Sequence, residues 1–315
     1  MNKTAIRPIL GQIKKLLLTM AAGATGVLVM ASPALAVQGI GISPTSQLVT
    51  IAPGGVAHGT LTAINDGDTN VTYHLYATDY GVSGESYKGV FTSVSSNSNV
   101  SSATWFGLPA GNFTIAPQQE VVFPYTIIVP KNAVVGGHYA SVFIQTVPPA
   151  TNGAAMVSEI QRVGSLFYMT VSGNLIHGGS LLPLEVPWLQ STPPVSASLK
   201  LTNTGNVHYL AQGTAQLYTP FGKVLGSQVA FKGEVLPDTT RLFDLHLPES
   251  SPIGIFKVTA NVNYLGKNVQ ESHWMLLIPK ITFLIIASTL LLILVLGFWG
   301  IMRRIRRRKA SNRNN

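Results

Sequence analysis

The chain has 315 residues, no cysteine and a formal charge of +9, yet the charge is concentrated at its ends. Of the 21 Lys and Arg, four lie in the first 15 residues and seven follow Met302. That leaves ten between Val37 and Lys280, where all 12 Asp and Glu lie. The basic balance is therefore a targeting signature and excludes a nucleic-acid footprint. The missing cysteine means that each domain must be held by its hydrophobic core alone.

Residues 1–36 read as a secretory signal peptide. Lys3, Arg7, Lys14 and Lys15 form a basic start, Leu16–Met30 is uncharged and apolar, and Ala34-Leu35-Ala36 offers small residues for cleavage after Ala36. At the other end, residues 281–302 carry no charge and are long enough for a membrane-crossing helix. A basic tail, 303–315, follows at once, which by the positive-inside rule makes the C-terminus cytoplasmic. The expected localisation is a single-pass cell-membrane protein with its N-terminal domains outside.

Between these ends the chain predicts an all-β fold. Short alternating runs are punctuated by Gly, Pro, Asn and Asp. Phe123, Tyr125, Ile127 and Val129 share one strand face. Phe243, Leu245 and Leu247 share another, opposite Asp244 and His246. A weak internal repeat divides the region. Asn65–Gly81 resembles Asn203–Tyr218, and Ile115–Ile144 resembles Val235–Val262. In the second pair a Pro opens a strand, another Pro closes it and a Gly starts the next, which suits a corner crossing from one sheet to the other. The order predicts two tandem immunoglobulin-like β-sandwiches, at 39–176 and 180–278. The first is longer, with Ser/Asn-rich material at Ser93–Thr104 and a second long loop at Pro148–Glu159, both candidate binding loops. Only Pro279 and Lys280 separate Ile278 from the apolar run, so the second domain sits nearest the membrane.

The search for chemistry yields no catalytic, cofactor or metal residues. There is no GxSxG, HExxH or glycine-rich phosphate loop, and no thiol. The seven His are scattered and read as mostly solvent-facing. Asn65-Asp66-Gly67-Asp68-Thr69-Asn70 has the look of an acidic calcium loop but lacks its downstream Glu, so it reads as a turn. Leu236-Pro237-Asp238-Thr239-Thr240 resembles a wall-sorting motif but lies far upstream of the apolar run and reads as structural. Trp105-Phe106 and Trp188, beside Pro or Gly, read as core packing, with sugar stacking as the alternative. An enzyme would need carboxylates gathered by folding, such as Asp79 and Glu85 with a third acid.

Several passages resemble the WxL-interacting proteins of Gram-positive cell surfaces. In the first domain these are Leu48–Asp66, Val129–Ile144 and Ile160–Gly173. In the second they are Leu201–Tyr209, Leu236–Pro248 and His273–Pro279. The resemblance implies a first domain that binds cell-wall peptidoglycan or another envelope component and a second that engages cell-surface proteins. The expected function is a non-enzymatic, membrane-anchored adaptor with no cofactor. A ligand-free stalk, and an envelope assembly chaperone acting through a sheet edge, stand as alternatives, and the ligand-binding residues are not assigned.

Overall fold

The computed structural model describes residues 39–92, 100–148, 160–247 and 253–311, with side chains to 304. The expected signal segment, 1–36, lies outside the described residues, as do 93–99 and 149–159 of the two long loops.

Ten strands form the first sandwich: β1 (Gly41–Ser43), β2 (Ser46–Ile51), β3 (Val56–Asn65), β4 (Val71–Ser83), β5 (Lys88–Thr92), β6 (Phe106–Gly107), β7 (Asn112–Ile115), β8 (Gln119–Ile128), β9 (Gly136–Thr146) and β10 (Arg162–Val171). One sheet has the order β1-β3-β8-β6. The other runs β2-β10-β9-β4-β5, with β7 also on β4. The second sandwich follows with β11 (Gly179–Leu181), β12 (Leu189–Gln190), β13 (Val195–Asn203), β14 (Tyr209–Tyr218), β15 (Val224–Val235), β16 (Thr240–Leu247), β17 (Gly254–Tyr264) and β18 (Lys267–Leu277). Its sheets are β11-β13-β16 and β12-β18-β17-β14-β15. This is the expected all-β, immunoglobulin-like architecture, and one apolar helix, α1 (Lys280–Ser311), follows it.

Alternation places the cores. Leu61, Tyr73, Ile115, Ile127 and Phe167 are fully buried in the first sandwich, and Leu199, Leu201, Leu217, Leu245 and Leu247 in the second. Each such side chain contributes about 1.5–3 kcal/mol, the only large stabilising source in a chain without disulfides. The Pro-to-Gly corners do cross between sheets. β8 and β9 lie in different sheets, as do β16 and β17, and the glycines that open β9 and β17 both have positive φ (134° at Gly136, 159° at Gly254).

The repeat has a shared physical core. Asn65 and Asn203, 0% and 1% exposed, each sit at a strand end. The Asn65 amide nitrogen donates to the Thr69 carbonyl at 2.8 Å and the Ile115 carbonyl at 2.9 Å, while its oxygen accepts from Gly67 N–H at 3.1 Å. Asn203 repeats the set with Val207 (2.9 Å), Val235 (2.8 Å) and Gly205 N–H (2.8 Å). One carboxamide thus closes a turn and ties it to the last residue of a strand in the opposite sheet, β7 or β15. The supposed calcium loop is this turn. Downstream of each, a Pro is followed by a residue at φ 56°, Gln118 in one domain and Asp238 in the other. That turn contains the sorting-motif lookalike, whose Leu236 is buried.

The surplus in the first domain is only partly loop. Its described part holds β5, a short 3-10 turn at Ala103–Trp105 and β6, whereas β7 ends at Ile115 as β15 ends at Val235.

Asn65→Ala and Asn203→Ala should each lower stability by about 2–4 kcal/mol, since each strands two buried carbonyls and one N–H. Asn70→Ala, exposed in the same loop, should stay within about 0.5 kcal/mol. Urea unfolding of the three variants measures this.

Candidate binding surface

The long β4 carries the first sandwich beyond its own core. β4 and β5 form a hairpin whose turn, Gly84–Tyr87, reaches the second sandwich. Leu242 N–H donates to the Glu85 carbonyl at 2.8 Å, and the Glu85 carboxylate meets Lys200 at 3.0 Å. The Tyr87 hydroxyl accepts from Leu236 N–H at 2.7 Å and also bonds the Thr239 hydroxyl. Arg241 stacks 4.6 Å over the Tyr87 ring and donates to the Glu234 carbonyl at 2.7 Å. Beneath the hairpin, Tyr80, Tyr139, Tyr168 and Leu236 form a buried cluster shared by both sandwiches. Across the same seam Gly137 N–H donates to the Asn206 carbonyl at 2.8 Å, and a side chain at Gly136 would collide with that carbonyl.

Burial decides the electrostatics here. It pushes the Tyr139 and Tyr168 hydroxyls well above the usual phenol range and raises the Glu234 carboxyl. The His208 imidazole is pushed down to about 4 by the same desolvation. Its ring is therefore neutral, and its Nδ1 lies 3.3 Å from the Tyr139 hydroxyl, in hydrogen-bond contact with it. His138 is also buried, with its pKa lowered by desolvation. These two are the exceptions among mostly solvent-accessible histidines. His138 lies on β9, covered by the 103–105 turn, and His208 lies in the loop before β14, covered by the seam.

An aromatic ladder leads from the seam across the outer face of the larger sheet. Tyr168, Tyr80, Phe91, Phe143 and Tyr76 follow one another with ring centroids 5.0–6.0 Å apart. Arg162 lies 5.2 Å over Phe143, and the Tyr76 hydroxyl donates to Gln145 at 3.0 Å. Most of these rings are covered: Phe143 is 5% exposed, whereas Phe91 on β5 is 37% exposed. β5 itself is exposed at all five residues, and among the described residues nothing pairs with its outer edge.

The suggested chemistry does not assemble. The Asp79 carboxylate accepts from Ser101 Oγ (2.6 Å) and from the Ser102 and Ala103 N–H groups (both 2.8 Å), so it organises a turn, while Glu85 is engaged at the seam. Among the described residues no three His, Asp or Glu side chains are grouped to hold a metal ion. Trp105 is core, 4.5 Å from the His138 ring, as expected. Trp188 departs from the core reading, being 69% exposed. Sequence reasoning missed β5 altogether. Its one signal was the Val90-Phe91 pair after a Gly.

No family model and no curated protein matches the chain. Solved structures do. A CsuC–CsuE chaperone–tip adhesion subunit pre-assembly complex from Acinetobacter baumannii aligns at 15% identity over 76% of this chain and 99% of that one, with a TM-score of 0.39. The Pseudomonas aeruginosa CupB2 chaperone aligns at 16% identity over 74% and 98%, with a TM-score of 0.36. The Salmonella enterica SafA pilin in complex with the SafB chaperone aligns at 14% over 76% and 98%, also with 0.36. The immunoglobulin-like sandwich is read from the strand order and the buried faces described above. At this level the likeness bears on neither partner nor activity, and none of these comparisons bears on the resemblance to WxL-interacting proteins.

The depressed pKa of His208 sets a pH dependence. The folded state resists protonation until about pH 4, whereas the unfolded ring takes its proton near 6.5. The stability this contributes is full above about pH 6.5, falls as pH drops towards 4, and totals on the order of 3 kcal/mol. Glu234, with its raised pKa, acts in the opposite sense. It favours the fold at low pH and loses that contribution as pH rises through its folded value. His208→Gln should flatten the loss between pH 6.5 and 4 in urea titrations at stepped pH.

Proposed function

We propose that this chain is a non-enzymatic, membrane-held binding module that captures an exported protein along the free edge of β5, as an envelope assembly chaperone or surface adaptor does. The observation that carries this is the open β5 edge, next to the aromatic ladder and stiffened from behind by the interdomain seam. Unpaired N–H and C=O groups on such an edge accept an added strand, with neighbouring apolar side chains supplying selectivity. Val90 and Phe91 are exposed there, 40% and 37%.

The helix supports the membrane-held part. Lys280–Arg304 is long and apolar enough to cross a bilayer, and none of its most apolar window is buried against the rest of the protein. With the basic residues after Met302 on the cytoplasmic side, both sandwiches stand outside. Arg303 lies 4.3 Å over the Trp299 ring, a pairing suited to the headgroup level.

Wall binding by the first sandwich, which the family resemblance implies, draws less from the geometry. Sugar stacking needs a ring with an open face, and the ladder's rings are mostly closed over one another. A concave surface that carries carboxamides lies on the second sandwich, a groove of about 540 Å³ along Gln212, Asn261, Asn263 and Gln270. For this chain the chaperone reading rests on the edge and the seam, and the chaperone complexes named above describe those proteins only.

Because the chain has no cysteine, single thiols report edges cleanly. Full-length protein with Val90→Cys, displayed on cells, should form crosslinks to exported proteins. Thr50→Cys on the opposite edge strand, β2, should form few. Purified peptidoglycan should not compete. Equal crosslinking at both positions, or saturable co-sedimentation with peptidoglycan that survives blocking of the Val90→Cys thiol, would replace this reading with the wall-adaptor one. Neither crosslinks nor wall binding would leave a spacer.

A further inference from the structure

The larger sheet of the second sandwich ends in a row of exposed apolar side chains at the end from which α1 leaves. β18 runs towards the helix, and its last residues Leu276 and Leu277 pair with Ile255 and Gly254, the first of β17. The Trp188 carbonyl accepts from Leu276 N–H at 2.7 Å, which puts Trp188 at the same level. β14 runs parallel to β18, and its last residue, Tyr218, is in register with Lys257 and so with Trp274. The β14–β15 turn, closed by Thr219 N–H on the Lys223 carbonyl at 2.8 Å, projects past that level and carries Phe221 at its tip. Phe221 is 97% exposed, Trp188 69%, Ile255 56% and Ile253 50%.

Such a rim is unexpected on a surface facing water, but its position explains it. Only Ile278 and Pro279 separate β18 from α1, and both ends of this link are tied. Ile278 N–H donates to the Gln190 carbonyl at 2.9 Å, and Phe283 N–H to the Pro279 carbonyl at 2.9 Å. The five peptide steps from Leu276 to Ile281 span at most about 17 Å, while the headgroup layer is about 5–7 Å deep on each side. A helix that enters hydrocarbon at Ile281 therefore keeps Leu276, and the residues level with it, within about 17 Å of the hydrocarbon edge, where side chains and the 219–223 turn that project past that level meet the headgroup layer. Lys223, Lys257 and Lys280 lie along the same rim and suit anionic headgroups. Trp is at home at this depth, where its ring meets acyl chains and its N–H meets polar groups. An apolar notch of about 290 Å³, lined by Leu189, Ile278, Phe283 and Leu284, opens between the sandwich and the helix at the depth of the first acyl carbons.

We infer that this rim is a lipid-contacting foot. Phe221, Trp188, Ile253 and Ile255 insert at the outer headgroup level and hold the second sandwich at a fixed tilt on the membrane. The inference rests on the membrane-crossing reading of α1. Through the seam it also fixes how the β5 edge is presented.

Depth-dependent fluorescence quenching in lipid vesicles tests it. Full-length protein with one thiol is labelled with an environment-sensitive dye, and the lipids carry a doxyl group either near the headgroup or deep in the chain. The thiols are Pro220→Cys and Ser191→Cys at the rim, Asn268→Cys at the opposite end of the β17–β18 hairpin, and Leu291→Cys in mid-helix. Shallow doxyl lipid should quench the two rim sites and leave Asn268→Cys bright. Adding Phe221→Ser and Trp188→Ser should restore the Pro220→Cys emission while Leu291→Cys stays quenched by deep doxyl. If the rim sites behave like Asn268→Cys while Leu291→Cys is quenched by deep doxyl, the foot is overturned and the crossing stands. If Leu291→Cys escapes deep doxyl, the crossing and the foot fall together.

Discussion

The Tyr87 hydroxyl, accepting the buried Leu236 N–H, is the contact on which the arrangement of this molecule depends. It docks a hairpin of one sandwich onto a turn of the other that is itself constrained, by a positive φ at Asp238 and by Asn203 behind it. Arg241 closes over the Tyr87 ring, and the tyrosine cluster fills the space below. Two sandwiches joined only by a short linker would move relative to one another. Here polar groups at fixed geometry and a shared apolar cluster resist that motion. The hairpin that makes the seam is also the one that exposes β5, so the rigidity of the joint and the presentation of the edge have one cause.

The two sandwiches share a plan and diverge at their outer parts. Asn65 and Asn203 occupy equivalent corners with the same donors and acceptors, and the Pro-to-Gly crossings switch sheets in both. The first sandwich adds length to β4, and with it the seam, the aromatic ladder and an open edge. The second keeps a shorter plan and places its exposed apolar residues at the end next to α1. The β5 edge and the apolar rim thus fall on different sandwiches, linked by one joint.

Polar groups inside the protein serve architecture. Asp79 binds two backbone N–H groups and a serine, as a carboxylate does at a buried turn, and the two buried histidines stay neutral because nothing nearby compensates a charge.

The class of fold was legible in the residues. Period-two runs such as Phe123–Val129 and Phe243–Leu247 dictate which faces are buried, and the repeated Asn, Pro and Gly mark turns whose backbone angles few other residues adopt. The uncharged run from Ile281 to Met302 declares itself by length and composition. These are local properties, set by neighbours within a few positions. The seam and the foot are not local. Tyr87 meets Leu236 across 149 positions, and whether Trp188 is core or rim depends on which strand end stands beside the helix. His138 and His208 read as exposed because neither lies in its own sandwich's apolar pattern, and only the docking of other elements covers them. Alternation and turn chemistry therefore determined two sandwiches and an apolar helix. The open edge, the stiff joint and the apolar rim were decided by tertiary packing, because each depends on what a distant segment covers or leaves bare.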